Sequence, residues 1–314
     1  MGEKQVDFKQ RTVRDDVSCT GIGLHSGQKV RLTVKPAPPD TGIKFIRKDA
    51  SHNRAIKAHF DNVVDTHLST TIGCNGTRVS TIEHLMATFF GLGIDNARVE
   101  IDGPEVPIMD GSSAPFVFLL KSVGIREQKK PKSFIVLKKT LRVREGNKSI
   151  AIHPANELKI SYTIDFNHPM IKEQKYDLHF SGKDFITEIS RARTFGFLND
   201  VQALREAGLG LGGSLDNAII IDDFRVLNED GLRYKDEFVR HKILDFLGDI
   251  AILGAPIIGH FVVEKSGHSL NQAILRKLIA NRRYWERLVL DNPEECIKNR
   301  VKIPVFGSLE PIPA

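Results

Sequence analysis

The chain has 314 residues, 41% hydrophobic and 27% charged, ordinary globular proportions that exclude disordered, collagen-like and coiled-coil classes. Its length suggests two domains of about 150 residues each. Lys and Arg total 45 against 39 Asp and Glu. The net charge of +6 is too weak and too dispersed to argue for a nucleic-acid partner, while it suits an anionic small molecule.

Cys19, Cys74 and Cys296 lie far apart without a C-x-x-C pair, so a disulfide framework is excluded and a reducing compartment is expected. The opening residues, MGEKQVDFKQRTVRDD, hold no apolar stretch of the kind a secretory signal needs, and Val6 breaks the myristoylation pattern. The longest apolar run, residues 250–259, is interrupted by Gly254 and Pro256 and is shorter than the ~20 residues that span a bilayer. A cytoplasmic protein is expected.

In chain order, residues 30–46 read as two alternating strands joined by a Pro-Ala corner. Residues 49–77, with His52, His59 and His67, form an insert. Residues 81–93, TIEHLMATFFGLG, read as a helix that stops at glycine and leads into the strand ARVEI, and a second helix is expected over 113–123. The polar stretch 126–132, REQKKPK, is the expected join. The second half repeats the pattern, with strand, Pro-Ala corner and strand over 148–166. An insert over 194–225 combines a short amphipathic helix, a Gly-rich turn and an Ile-rich strand. A helix over 236–254 leads into IIGHFVV, and a last helix is expected over 269–287. Strands grouped before helices argue for α+β sandwiches over a doubly wound parallel sheet. The expectation is two topologically repeated modules, 1–127 and 132–300, each with one insert, and a tail over 301–314.

The helix over 236–254 is apolar nearly all round, yet His241, Asp245 and Asp249 recur at i, i+4 and i+8 on one face. A buried carboxylate needs a strong partner. A metal ion would satisfy the pair His241 and Asp245; so would a His–Asp hydrogen bond at a polar interface. In the first half, Ser80-x-x-Glu83 is either a capping box or the start of a site in which His84 binds metal beside Glu83 as a base. Both halves place a histidine near the start of an equivalent helix. Packed face to face, His84 and the pair His241 and Asp245 would converge as three ligands with an open fourth position, the arrangement of a catalytic zinc. His268, in the Gly-preceded segment EKSGH after a strand, is either an exposed loop residue or a group that Asp249 orients and keeps protonated. His67, in DTHLSTT, is a further candidate lining residue. H-E-x-x-H, G-x-x-x-x-G-K-[ST], G-x-S-x-G and P-C-x-x-C are absent, and GLGG at 210–213 reads as a turn.

The motifs GIGLHSG, STIEHLMA, GPEVPIMDGSSAPF, ISRARTFGF, GLGLGGSLDNAIIIDDFRVLNEDGLR, DEFVRHKILDFLGD and KSGHSLN occur in order from about Arg11 to about Leu290. Together they closely resemble the bacterial UDP-3-O-acyl-N-acetylglucosamine deacetylases, which perform the committed step of lipid A synthesis. The resemblance implies two α+β modules of the same topology with helices packed between two sheets. It implies a zinc ion, with ferrous iron the other metal that suits the donors, held by His84, His241 and Asp245. By matched motif, Glu83 would be the general base and His268 the general acid, supported by Asp249. Thr194 would donate to the oxyanion. Lys242 and Lys265 look like contacts to the nucleotide diphosphate, and Phe166 and Phe197 like aromatic contacts near nucleotide and sugar. Leu198, Val201, Leu204, Leu215, Ala218 and Ile220 look like the passage for the acyl chain. DTHLST departs from relatives that carry Met or Cys near His67 and Ser69. The implied partner is an acylated UDP-sugar, with no nucleic acid, at most transient contact with the membrane surface, and a monomeric enzyme. The rival readings are a zinc amidohydrolase acting on another N-acyl substrate and a binding module without chemistry. Retention of Glu83, His84, His241, Asp245 and His268 counts against the second.

Overall fold

A computed structural model describes residues 8–50 and 55–307; His52, Val6 and the end of the expected tail lie outside the described residues. The architecture is mixed α+β. Seven helices are described: α1 (Glu83–Leu92), α2 (Ala114–Ser122), the single turn α3 (Gly182–Asp184), α4 (Leu198–Glu206), α5 (Glu237–Ala251), α6 (His268–Ala280) and α7 (Pro293–Asn299).

One sheet has five strands in the order Val17–Ile22, Lys29–Pro36, Ala97–Ile101, Ile43–Arg47, Ala55–Lys57. Neighbours are antiparallel except Ile43–Arg47 with Ala97–Ile101, which run parallel. Lys29–Pro36 shows why it is a one-faced strand: Val30, Leu32 and Val34 are buried while Lys29 and Arg31 face out. A larger sheet contains, side by side, Leu141–Glu145, Lys148–His153, Ile257–Glu264, Leu158–Asp165 and Glu173–His179. There, only Leu158–Asp165 with Ile257–Glu264 is parallel within this set. The inner faces of both sheets and the faces of α1 and α5 share one continuous apolar cluster, with Val30, Phe45 and Phe89 from the first half and Tyr162, Phe246 and Phe261 from the second.

The expected join is a strand, and one expected helix is shorter. The stretch 126–132 lies inside one long strand, Ile125–Leu137, which pairs with Lys9–Val13, Ile257–Glu264 and Trp285–Leu290. Its charged residues read as a linker, but Lys132 is buried and its ammonium donates to Asp95 at 2.6 Å and to the Gly93 carbonyl at 2.7 Å. The last helix stops at Ala280 instead of continuing to 287, and Trp285–Leu290 is a strand. Arg287 and Val289 face out while Leu288 and Leu290 turn in, and the Trp285 indole donates back to the Leu278 carbonyl, closing the turn. No helix among the described residues is long and apolar enough to cross a membrane.

Candidate active site

The site is built where α1 and α5 touch. The N-terminal turn of α1 is set by Thr81, which takes a left-handed φ of 55° and donates its hydroxyl to Glu105 at 2.8 Å. The capping box does not form. Ser80 Oγ instead accepts from the Thr71 hydroxyl, and Glu83 Oε2 accepts the Thr70 N–H at 3.0 Å. The Glu83 carboxylate is therefore turned inward. Every residue of α1 is buried, and the His84 side chain keeps only 5% of its surface accessible.

On α5, apolar side chains on most of the surface bury the polar face with them, and His241, Asp245 and Asp249 are all inside. Gly248 allows the close approach. A Cβ there would overlap the Glu83 carbonyl, so only glycine lets α5 lie directly on the start of α1.

His84 Nε2 lies 3.5 Å and His241 Nε2 3.3 Å from the same oxygen, Oδ1 of Asp245. The two rings are edge-on with centroids 5.0 Å apart, and one donor atom from each of the three residues lies within 4.8 Å of the others. His241 Nδ1 is 3.1 Å from the Ala192 carbonyl. A carbonyl only accepts, so Nδ1 carries a hydrogen and Nε2 of the neutral ring is a lone pair. Burial drives His241 down to about 4, so the ring is neutral near pH 7. An acceptor nitrogen then faces an acceptor oxygen in a buried pocket, an arrangement that a cation between them would satisfy. Two imidazoles and one carboxylate are a donor set that zinc takes. Burial alone would raise the Asp245 carboxyl, but the Lys242 ammonium, 2.7 Å from its second oxygen, holds it below the usual carboxylate range.

A second group adjoins the triad. Asp249 Oδ2 accepts from His268 Nδ1 at 2.8 Å and Asn271 Nδ2 at 2.7 Å, while Oδ1 accepts the Thr70 hydroxyl at 2.5 Å. His268 is buried and is the first residue of α6, with Gly267 as N-cap, so it is not the exposed loop residue that was the plainer alternative. Burial opposes its charge, but Asp249 and Glu83 outweigh burial and carry His268 up to about 9. Glu83 is raised above its ordinary value, chiefly by burial.

The other expected residues divide. Phe166 and Phe197 form a ring cluster with His168 and Phe195, with centroids 5.1–5.8 Å apart, and Phe195 reaches His241 at 6.3 Å. Thr194 is fixed by its backbone between Gly111 and Ile219, next to Phe195. Lys242 is turned inward, with Nζ 2.7 Å from Asp245 Oδ2, and Lys265 is paired with Asp165. In the insert, Phe195–Phe197 runs parallel to Ile219–Ile221, linked through α4. Leu198 and Leu215 are exposed, Val201, Leu204 and Ile220 half-buried, and Ala218 buried. The Gly-rich turn docks on the first half, where Leu211 and Gly212 N–H donate to the His25 and Leu24 carbonyls. His67 is exposed. Sequence reasoning passed over Thr70, Asn271, Phe195 and Ala192, none of which carries a spacing signal of its own.

A profile of the UDP-3-O-acyl N-acetylglycosamine deacetylase family matches residues 10–280. A UDP-3-O-acyl-N-acetylglucosamine deacetylase of Myxococcus xanthus is 53% identical over 279 residues, 89% of each chain. Its counterpart from Teredinibacter turnerae is 53% identical over 297 residues, covering 94% of this chain and 98% of the relative. The chain belongs to this deacetylase family. The family is zinc-dependent, and the buried donors described above are the candidate zinc site.

Proposed function

We propose that the protein removes the N-acetyl group from UDP-3-O-(3-hydroxyacyl)-N-acetylglucosamine, releasing acetate and the free amine in lipid A synthesis. The observation that carries this is the pair of facing acceptors, His241 Nε2 and Asp245 Oδ1, with His84 Nε2 beside them. His84, His241 and Asp245 would hold the ion. When bound, zinc lowers the pKa of a water towards ~7 and polarises an amide carbonyl. Glu83 takes the proton of the attacking water, and the Thr194 hydroxyl donates to the developing oxyanion. His268, with Nδ1 engaged by Asp249, presents its Nε2–H to the departing nitrogen. Lys242, which also pairs with the second oxygen of Asp245, and Lys265, which pairs with Asp165, the neighbour of Phe166, would meet the nucleotide diphosphate. Phe166 and Phe197 offer faces to sugar and base. The apolar side of α4, with Leu198, Val201 and Leu204, together with Leu215, Ala218 and Ile220 from the segment that follows, suits a fatty acyl chain.

We also read the chain as two modules of one topology, 1–127 and 132–300, with helices between their sheets and inserts at about 49–77 and 194–225. The common strand order and the single parallel pair in each five-strand set support it. The enzyme is taken as a cytoplasmic monomer whose contact with membrane is at most transient.

The test is acetate release from the acylated nucleotide sugar, with metal content measured on the same sample. Chelation is expected to abolish turnover and stoichiometric zinc to restore it; full activity in metal-free protein would exclude the mechanism. Omission of the 3-O-acyl chain is expected to cut kcat/KM by at least 10-fold, since its burial at about 0.8 kcal/mol per methylene is lost. A substrate without the chain that is turned over equally well favours the other reading, a zinc amidohydrolase for a different N-acyl compound.

A further inference from the structure

Thr70 is fully buried, belongs to the first half of the chain, and touches groups of both halves through all of its polar atoms. Its N–H donates to Glu83 Oε2 at 3.0 Å, and its carbonyl accepts the N–H of Ile82, the residue from which α1 starts. Its hydroxyl donates to Asp249 Oδ1 at 2.5 Å and lies 3.3 Å from His268 Nδ1. Asp249, with no exposed surface, thus receives three donors: Thr70 on one oxygen, His268 and Asn271 on the other. The carboxylate can rotate about its side-chain bond. With Oδ1 pinned, Oδ2 is held towards His268 Nδ1, which in turn fixes the direction of His268 Nε2.

We propose that Thr70 is a positioning residue that sets the base and the acid of this active site relative to each other, its N–H aiming Glu83 and its hydroxyl aiming His268 through Asp249. The assignment rests on the deacetylase reading above. The N–H is common to every residue except proline, so side-chain substitution isolates the hydroxyl's half of the role. Losing the hydroxyl leaves Asp249 Oδ1 without this donor in a buried site and leaves the carboxylate held through Oδ2 alone. Outer partners of this kind are worth ~10–100-fold in activity. Substrate contacts and the metal donors are untouched, so the loss falls on kcat and not on KM.

The experiment compares T70V, T70A and T70S in the purified zinc enzyme, with E83Q as reference, measuring kcat, KM, bound zinc and melting temperature. T70V and T70A are expected to lose ~10–100-fold in kcat with KM and zinc retained, and T70S to recover most of that loss. Near-wild-type kcat in T70V overturns the proposal. So does T70S as impaired as T70A, or failure of both T70V and T70A to fold or hold zinc, which would make the residue structural. High activity in E83Q instead overturns the underlying mechanism, whatever Thr70 does.

Discussion

Replacing Glu83 with glutamine is expected to lower kcat by ~10²–10⁴-fold while leaving bound zinc and KM near their wild-type values. Glutamine keeps the size of the side chain and can still accept the Thr70 N–H, but it cannot take a proton from water. His268→Ala should cost a comparable factor by removing the proton donor. The two variants differ in their pH profiles. As the proposed acid His268 works only in its protonated form, and because Asp249 and Glu83 outweigh burial and carry it up to about 9, kcat/KM of the wild type should fall as pH rises through about 9. His268→Ala should lose that alkaline limb. On the acidic side Glu83 must be ionised, so activity should climb as pH rises through a value that burial has moved above the ordinary glutamate range. Initial rates of acetate release across pH check both limbs. An unchanged alkaline fall in His268→Ala would assign that proton to another group, and near-normal turnover in either variant would remove its assigned role.

How far these groups could be seen in advance depended on whether their geometry is local. His241, Asp245 and Asp249 were legible because one helix fixes them, and period 3.6 on an otherwise apolar helix brings them to one face. Glu83 was ambiguous because a capping box and an inward carboxylate have the same spacing. What separates them is the left-handed Thr81, held by Glu105 from a distant loop. Thr70 carried no signal, since a threonine in LSTT acquires its partners only when α5 and α6 arrive from the other half. For His268 the preceding glycine suggested a loop, whereas Gly267 is the extended residue before α6. The polar run 126–132 reads as a join from its charges, and that it is a strand was hidden because its strand partners lie more than a hundred residues away. The apolar residues of the second insert were named as a group, but packing divides them, with Leu198 and Leu215 exposed and Ala218 buried.

Gly248→Ala is expected to damage zinc binding. In the native packing the new Cβ would overlap the Glu83 carbonyl, and its other close neighbours are the Cα and carbonyl carbon of the same residue, with no flexible side chain to move aside. The helices must separate, and α1 carries Glu83 and His84 with it. Overpacking of this kind costs ~1–3 kcal/mol, so the melting temperature should fall. A fall in stability alone would not single out the site, and Gly91→Ala supplies the comparison. A Cβ there would overlap the Phe185 ring further along the same helix, so it should also destabilise. Yet it lies two turns from His84, and the metal donors on α5 need not shift. Only Gly248→Ala should weaken zinc affinity, by ~10–100-fold, because the imidazole from α1 is drawn away from the imidazole and carboxylate of α5. Competition with a chromophoric chelator, run beside thermal melts, separates the two effects. Equal zinc affinity in Gly248→Ala and wild type would mean that the contact of α1 with α5 does not set the distance between the metal donors.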